Sequence, residues 1–427
     1  MAYEVPKPGG DKRTVSVFAV ADAVVSRRVY ASLLGKNKAR LSAYSYAYRD
    51  DLTPHDAIQH ISADLTGRGR LFLAEYDFSK YFDTISHDYV WRTLDQRAFL
   101  MTDLERHVLE QFLQANVQEQ TNYQARSPQA KRRTRGVPQG TSVSLFLANV
   151  AAWELDRALE RLGIGFARYA DDTLIWSHDY ARICDAVETL SVLSTEIGSP
   201  LNFKKSHGIS IFTPEGAPAE FKSKSSVEFV GYRFSEHGVG MRESVVHRIK
   251  RRLAYLVWVN LLEPLKSNHF VAARTVPQVD RDYLVMVMQI RRYMYGDLNE
   301  DKLRRLRNGS ARRVHYPGVM SYFPLVTDLA QLKELDGWLL HTVYTSLQER
   351  GRLLSARGVS PLPDPHGLKR SDLPAAYSYS TRTGRRLDLR LPSFVRIGTA
   401  IGRAAQAHGP NAVGRKGGAQ HYKYPGI

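Results

Sequence analysis

The middle of the chain alternates apolar and polar residues in a way that predicts strands ending in carboxylates. Residues 71–85, LFLAEYDFSKYFDTI, predict a buried strand that carries Asp77 near its end and runs into a turn and a helix start. Residues 166–177, FARYADDTLIWS, predict two strands that meet at Asp171 and Asp172, because adjacent carboxylates suit a turn and are poor strand residues.

Helical periodicity flanks this hairpin on both sides. Residues 145–162 and 181–198 carry apolar residues at helical spacing, which gives the order strand, helix, hairpin, helix, strand. Residues 201–212 predict a further strand, and residues 225–235 predict a pair of short strands around Gly231. An antiparallel sheet with helices, an α+β construction, is therefore expected.

The two ends of the chain have a different character. Residues 10–35 predict a short strand followed by a helix. Beyond about residue 240 the pattern becomes helical and very basic, with a dense cluster that includes Arg304 and Arg305. After about residue 360 the chain is rich in Pro, Gly and Arg with little periodicity, and the pattern assigns it no fold.

Composition narrows the class of partner. The chain has 427 residues, enough for two or three domains, and 60 Lys plus Arg against 43 Asp plus Glu, a net charge of +17. This excess favours a polyanion, with nucleic acid first. The longest apolar runs are too short to span a bilayer and no secretory signal is evident, so a membrane partner is not expected. The single cysteine, Cys184, excludes an internal disulfide and fits a reducing, cytoplasmic location.

Three features carry candidate chemistry. Asp171 and Asp172 repel each other, which a protein tolerates when a divalent cation lies beside them, although a solvated turn explains YADD alone equally well. The turn GVPQG, residues 136–140, lets the backbone approach a flat ligand, and Gln139 can hydrogen-bond to it. Before it lies a basic run with Arg132 and Arg133, which favours phosphate contact over a merely solvated loop.

The runs DFSKYF, GVPQGTSVS, RYADD, LNFKKS and FVGYRF, taken together, resemble the palm motifs of reverse transcriptases, in that family's order. The resemblance covers about residues 10–350 and is strongest in 71–235. Within the family, FVGYRF and the helix LDGWLLHTVYTSLQERGRLL are most similar to bacterial enzymes of the group II intron, abortive-infection and defence-associated branches.

The resemblance implies an architecture. It is that of a right-hand polymerase with fingers and palm over residues 1–240, whose palm core is about 71–94 and 136–235. A helical basic thumb follows over 241–360, and a basic C-terminal extension over 361–427.

The resemblance also implies roles for individual residues. Asp77, Asp171, Asp172 and the backbone carbonyl of Phe78 would hold two Mg²⁺ ions. The remaining roles are these: Lys205 protonates pyrophosphate, Phe82 is a steric gate against a ribose 2′-hydroxyl, Gln139 lies beside the incoming nucleotide, Arg13 holds the triphosphate, Gly231 belongs to the primer grip, and Arg132, Arg133, Arg304 and Arg305 contact nucleic acid.

The function implied is RNA-directed DNA synthesis on a partner non-coding RNA, in a bacterium and in antiphage defence. Its partners would be an RNA template, the DNA product and dNTPs, with oligomeric state left open. Two alternatives stay open: a template-independent or protein-primed DNA polymerase of the abortive-infection kind, and a non-catalytic nucleic-acid-binding factor with a degenerate palm.

Overall fold

The chain forms two compact units, Met1–Ser225 and Ser226–Ile427. A computed structural model describes residues 2–6, 12–65, 70–115, 133–203, 206–267, 269–275, 280–296, 298–311, 318–359, 363–375, 378–380, 384 and 386–413. The expected boundary near residue 240 stays a prediction, and the short strands around Gly231 belong to the second unit.

The first unit is built on a five-stranded sheet with the order β4, β5, β3, β6, β7. All neighbouring strands are antiparallel except β6 and β7, which are parallel. A separate antiparallel pair, β1 and β2, precedes it. The strands are β1 (Ala2–Pro6), β2 (Lys12–Ser16), β3 (Leu71–Tyr76), β4 (Gly165–Tyr169), β5 (Asp172–Ser177), β6 (Gly208–Phe212) and β7 (Ser223–Lys224).

The α-helices in the described part of the first unit pack around this sheet, and most of them share one apolar core. Their ends follow from local chemistry: Thr102 and Glu105 form a capping box at the start of α5, and Gly198 ends α8 with a left-handed φ of 87°. The helices are α1 (Val20–Asn37), α2 (Pro54–Leu65), α3 (Tyr81–Thr84), α4 (His87–Gln96), α5 (Asp103–Leu113), α6 (Ser142–Ala151), α7 (Trp153–Arg161) and α8 (Tyr180–Ile197).

The second unit begins with a three-stranded antiparallel sheet, ordered β10, β9, β8, and continues as helices. Its longest helix, α13, is capped by Asp328 and buries one apolar face along its length. The elements are β8 (Ser226–Phe229), β9 (Tyr232–Ser235), β10 (Gly238–Met241), α9 (Glu243–Leu261), α10 (Glu263–Lys266), α11 (Arg281–Tyr295), α12 (Glu300–Arg307), α13 (Leu329–Ala356), α14 (Pro363–His366), β11 (Ser378–Ser380), β12 (Arg386–Asp388), α15 (Phe394–His408) and α16 (Pro410–Val413).

The expected α+β class is confirmed, with a mainly antiparallel sheet in the first unit and basic helices in the second. The region after residue 360, which the pattern left without a fold, contains α15. This helix buries Phe394, Ile397 and Ile401 and contacts α12 and α13. In the parts of the chain described above, no helix is both long enough and apolar enough to cross a bilayer.

Candidate active site

The three aspartates come to one end of the first unit's sheet. Asp77 directly follows β3, and Asp172 is the first residue of β5. The antiparallel register pairs Tyr76 with Thr173, so the next position along the same two strands sets Asp77 opposite Asp172. Opposed residues in antiparallel strands lie only about 4.5–5.5 Å apart at Cα. Backbone register alone therefore gathers carboxylates that are far apart in sequence.

The turn that presents Asp171 is a strained two-residue hairpin. Tyr169 pairs with Asp172, which leaves Ala170 and Asp171 as the loop. Ala170 has a φ of 62° whereas Asp171 does not have a positive φ, the pattern of a type II′ turn in which glycine is the usual first residue. A non-glycine residue in this conformation persists only where its surroundings hold it.

A buried arginine supplies that support. Arg168 forms a bidentate ion pair with Asp156, with Nε to Oδ1 at 2.7 Å and Nη2 to Oδ2 at 2.6 Å. Its Nη1 donates to the Ala170 carbonyl at 2.9 Å. Nη2 also donates to the Ser45 hydroxyl at 2.6 Å. Burial alone would lower the pKa of Arg168, but the Asp156 carboxylate raises it, so the guanidinium stays charged. Arg168 thus anchors the turn that presents Asp171.

A second strand-like contact fixes the segment after Asp77. The backbone N–H of Asn202 donates to the Asp77 carbonyl at 2.8 Å, and that of Ser79 donates to the Pro200 carbonyl at 2.9 Å. These bonds flank the antiparallel bridge between Phe78 and Leu201. Phe78 is therefore at a non-hydrogen-bonded position of this pair, and its own carbonyl faces away from Leu201, toward the side on which β5 lies.

The glycine turn packs directly onto the helix that follows Asp77. The N–H of Val137 donates to the Phe82 carbonyl at 2.6 Å, and that of Gly136 donates to the Ile85 carbonyl at 2.7 Å. Gly136 has a φ of 76°, and a Cβ there would lie 2.4 Å from the Asp83 carbonyl oxygen. This position therefore requires glycine, which explains the close approach of GVPQG to DFSKYF.

Gln139 connects three segments of the site. Its side-chain Nε2 donates to Asp83 Oδ1 at 2.9 Å, and its carbonyl accepts from the N–H of Ser16 at the end of β2. The backbone of Arg13 belongs to the same strand. The aromatic ring of Phe82 is half-buried and makes edge contacts with the rings of Tyr48 and Tyr81.

Charges from both motifs meet near helix α3. Burial raises the pKa of Tyr81, and the negative charge of Asp171 acts in the same direction, so the Asp171 carboxylate lies within electrostatic reach of this helix. Burial lowers the pKa of Arg133, while the carboxylate of Asp83 acts in the opposite direction. The guanidinium of Arg133 therefore lies near the acid that binds Gln139.

The predicted residues separate into three groups. Those brought together in the first unit are Asp77, Phe78, Phe82, Arg133, Gln139, Asp171 and Asp172. Gly231, Arg304 and Arg305 lie in the second unit, with Gly231 in the two-residue hairpin loop between β8 and β9. Lys205, Arg132 and the side chain of Arg13 fall outside the described residues.

Sequence reasoning missed the residues beneath and beside the site. Arg168 was present in the quoted run RYADD but had no role, and its partners Asp156 and Asn149 lie on helices read only as apolar faces. The position of Asp83 predicts a helix cap, but Asp83 lies within α3 and accepts a hydrogen bond from Gln139. A charged residue at an inward-facing strand position was the available signal for Arg168, because such residues are buried only when paired.

The donor set suits a hard divalent cation. Carboxylate oxygens and a backbone carbonyl directed to one sheet edge are the ligands that Mg²⁺ prefers. Within the described ranges, no group of three or more His, Cys, Asp or Glu side chains is arranged as a finished metal-binding cluster. Mg²⁺ commonly takes one or two carboxylates plus substrate phosphate oxygens, so a finished protein cage is not required.

Comparison with protein families assigns the class. Residues 5–234 match the family model described as reverse transcriptase (RNA-dependent DNA polymerase). The chain therefore belongs to the reverse transcriptase family, which confirms the predicted family, the right-hand polymerase class and, at the family level, the enzyme class. Members of this family generally use divalent metals.

Individual relatives are similar over part of their length. Protein YkfC of Escherichia coli is 28% identical over 186 residues, 42% of this chain and 45% of that protein. The COX1/OXI3 intron 1 protein of Saccharomyces cerevisiae is 27% identical over 160 residues, 36% of this chain and 18% of that protein. The match thus spans less than half of each curated relative. A bacterial protein and an intron protein agree with the branch that the motifs resemble.

Solved structures give more distant matches. Telomerase from Candida albicans with a telomeric RNA fragment is 12% identical, with a TM-score of 0.44 and coverage of 84% of this chain and 62% of that one. Apo telomerase from Candida tropicalis is 12% identical, with a TM-score of 0.45 and coverage of 96% and 63%. Similarity at this level carries no information on substrate.

Proposed function

We propose that this protein is an RNA-directed DNA polymerase that extends a primer by nucleotidyl transfer at the sheet edge where Asp77, Asp171 and Asp172 meet. The observation that carries the proposal is the strand register, which sets Asp77 opposite Asp172 and places Asp171 in the adjoining turn. Family membership supports the reaction class.

In this proposal the carboxylates of Asp77, Asp171 and Asp172 and the carbonyl of Phe78 hold two Mg²⁺ ions. The ions, when bound, neutralise charge on the attacking 3′-oxygen and on the departing pyrophosphate. The chain itself contributes positioning: phosphoryl transfer needs little covalent help, so catalysis depends on fixed geometry and on charge stabilisation. The support from Arg168 to the turn is part of that fixed geometry.

The residues around the glycine turn would hold the incoming dNTP. Phe82 would act as the gate against a 2′-hydroxyl, because its ring is held by Tyr48 and Tyr81. Gln139 would lie beside the nucleotide, and its bond to Asp83 fixes its side chain in advance. Arg13 would hold the triphosphate and Lys205 would protonate pyrophosphate, both as the motifs imply.

The second unit would contact the template and product through phosphates. Arg304 lines a groove of about 340 Å³ between α12 and α15, together with Arg307 and Arg396. Three guanidiniums in one groove suit a phosphate backbone held by shape and charge rather than by sequence. Arg305 on α12, Arg132 and Arg133 would add to this, and Gly231 would belong to the primer grip. A non-coding RNA template and an antiphage role complete the proposal and rest on branch resemblance alone. A cytoplasmic location is proposed from the single cysteine, which fits a reducing compartment.

A primer-extension assay tests the core claim. The full chain, an RNA template with a DNA primer, dNTPs and Mg²⁺ should give extended DNA, and the double change Asp171→Asn, Asp172→Asn should reduce it to background while leaving the protein folded. The matched control is Asp185→Asn, an exposed aspartate on α8, which should retain full activity. Extension by the double variant at the rate of the unchanged protein would refute the site.

The same assay examines the protein-primed alternative. DNA that stays attached to protein after denaturation and is released by protease would favour that alternative. Free DNA products that begin with the supplied primer would favour the proposal.

A further inference from the structure

The short sheet that carries the Gly231 loop has an edge that the start of helix α13 covers. In the strand order β10, β9, β8, the strand β10 pairs with β9 on one side only. An edge strand leaves alternate backbone N–H and C=O groups without a strand partner. In β10 these groups belong to Val239 and Met241, and both residues are buried. Their hydrogen bonds therefore show what this edge is attached to.

Residues just before and within the first turn of α13 supply those hydrogen bonds. The N–H of Val239 donates to the Thr327 hydroxyl at 2.9 Å, and the Val239 carbonyl accepts from the Thr327 N–H at 2.7 Å. The N–H of Met241 donates to Gln331 Oε1 at 2.7 Å, and its carbonyl accepts from Gln331 Nε2 at 2.8 Å. A single side-chain amide thus bonds to Met241 as the backbone of a neighbouring strand would.

Gln331 is suited to this contact by its chemistry and by its surroundings. A side-chain amide has both donors and an acceptor, whereas a carboxylate of the same length only accepts. The backbone N–H of Gln331 donates to Asp328 Oδ1 at 2.9 Å, which is the N-cap bond of α13. A Cβ at Gly240 would lie 3.2 Å from both amide atoms, so the glycine leaves room for this side chain. Gln331 is therefore fixed to the helix at its backbone and to β10 at its amide.

The end of β10 is in turn bonded to the Gly231 loop. The N–H of Arg242, the residue after β10, donates to the Gly231 carbonyl at 3.0 Å. The guanidinium of Arg242 also pairs with Glu228 on β8 at 2.7 Å. The other loop residue, Val230, has a φ of 45°, and such a conformation persists only where surrounding contacts hold it. A series of contacts thus connects α13 to this loop through Gln331 and β10.

We propose that Gln331 is a positioning residue for the primer, which fixes the Gly231 hairpin to α13 so that hairpin and helix hold the primer strand as one body. This inference rests on the proposed function, in which Gly231 belongs to the primer grip. Gln331 lies in the second unit, whereas the three aspartates of the candidate active site lie in the first. Loss of its bonds should therefore weaken the hold on the primer without slowing nucleotide addition, because a looser hairpin loses more conformational freedom when the primer binds.

A trap experiment with the full chain tests this role. The protein, bound to a labelled DNA primer on an RNA template, is mixed with dNTPs, Mg²⁺ and an excess of unlabelled primer–template. Gln331→Met removes both hydrogen bonds to Met241, and Gln331→Glu removes the donor alone. The primer should dissociate about tenfold faster from either variant than from the unchanged protein. Nucleotide addition by the primer-bound variants should stay within about twofold of the normal rate.

The matched control is Gln348→Glu, which makes the same chemical change at an exposed glutamine on the same helix. Both of its rates should equal those of the unchanged protein. Thr327→Val removes only the hydroxyl bond to Val239, and it should speed primer dissociation by a smaller factor. This variant decides the question if neither Gln331 variant folds.

The two rates separate this role from a folding defect and from failure of the proposed function. Unfolded molecules bind no primer, so a loss of stability lowers the yield of product but not the dissociation rate of primer-bound protein. Normal dissociation in the folded Gln331 variants, or slower nucleotide addition with normal dissociation, would overturn the inference and leave the aspartate site in place. Absence of any extension by the unchanged protein would overturn the proposed function itself, and the role of Gln331 with it.

Discussion

Among the described residues, each unit has one arginine that is almost completely buried, and the two arginines form similar ion pairs but differ in function. Arg168 in the first unit is 1% exposed and forms a bidentate ion pair with Asp156. Arg350 in the second unit is fully buried and forms a bidentate ion pair with Asp280, with Nε to Oδ2 at 2.6 Å and Nη2 to Oδ1 at 3.0 Å. The two arginines differ in their remaining hydrogen bonds.

The Nη1 atom of each arginine donates to a backbone carbonyl, one in a turn and the other at the end of a helix. Arg168 reaches Ala170, the strained residue next to Asp171. Arg350 reaches Leu261, the last residue of α9, and so ties the ends of two helices to α13. Buried ion pairs contribute little net stability compared with apolar side chains of the same volume. The comparison indicates that the first network holds the turn of Ala170 and Asp171 in place, whereas the second network holds helices together.

The largest effect is expected from replacing the first network. Arg168→Met alone leaves Asp156 buried and unpaired, which should cost about 3–5 kcal/mol of unfolding free energy. Adding Asp156→Leu should restore most of that stability, since the pair is exchanged for apolar side chains. The kcat of the double variant for primer extension should nevertheless remain about 10- to 100-fold lower than that of the unchanged protein. The turn has lost the hydrogen bond from Arg168, and a small displacement of Asp171 is expected to slow the reaction. Denaturant unfolding and steady-state kinetics measure the two outcomes.

The control for this prediction is Arg182→Met, which removes an exposed arginine of the same unit and should change neither quantity. If the stable double variant extends primers at the full rate, Arg168 has no positioning role and the contrast between the networks disappears.

The second network should respond in stability alone. Arg350→Met removes the arginine that Asp280 and Asp282 share, and among the described side chains only His366 and Arg274 remain to contact these buried carboxylates. We expect a loss of about 3 kcal/mol, the lower end for a broken buried ion pair. The rate of primer extension per folded molecule should remain within about twofold at low temperature, because the bonds of Arg350 end on a helix rather than on the turn. The paired control is Arg352→Met, which changes an exposed residue on the same helix and should leave the unfolding free energy unchanged. A tenfold fall in kcat for folded Arg350→Met would make the two networks equivalent.

The local sequence pattern predicted many strands and helices of the first unit, but not the buried hydrogen bonds that hold the candidate site. The period-2 strands around Asp77 and Asp171, the glycine turn and α8 could be read from sequence, since each has its own periodicity or stop signal. The bonds from Arg168 to Asp156 and Ser45 could not, because they join residues separated by 12 and 123 positions and depend on how helices pack on the sheet. The helix α15 is a different case, because Phe394, Ile397 and Ile401 lie at helical spacing and the sequence carried a signal that the prediction missed.

Acid should weaken the second network, whose carboxylate Asp280 has a lowered pKa in the folded protein. Burial would raise the pKa of Asp280, but hydrogen bonds from His366 and Arg350 outweigh it and hold the pKa below its usual 3.8. A carboxyl with a lowered folded pKa contributes its stability above the unfolded value and loses it as pH falls through the folded one. Unfolding free energy should therefore decline below about pH 4. The decline should be shallower in Asp280→Asn. Equal slopes in denaturant titrations of both proteins between pH 5 and pH 3 would contradict this assignment.

The smallest expected effect concerns strain in the hairpin of the second unit, the counterpart of the Ala170 turn. Val230 and Gly231 form a two-residue loop with φ values of 45° and 83°, the pattern of a type I′ turn, and a β-branched residue is poorly suited to the first position. Val230→Asn gives the Asn-Gly sequence that this turn prefers and should raise unfolding free energy by about 0.5–1 kcal/mol. Ala170→Gly is the companion change in the first unit, and relief of strain there should be partly offset by the entropy of glycine. Thermal melting compares the two. A lower melting temperature for Val230→Asn would mean that the valine side chain contributes more through its contacts than its conformation costs.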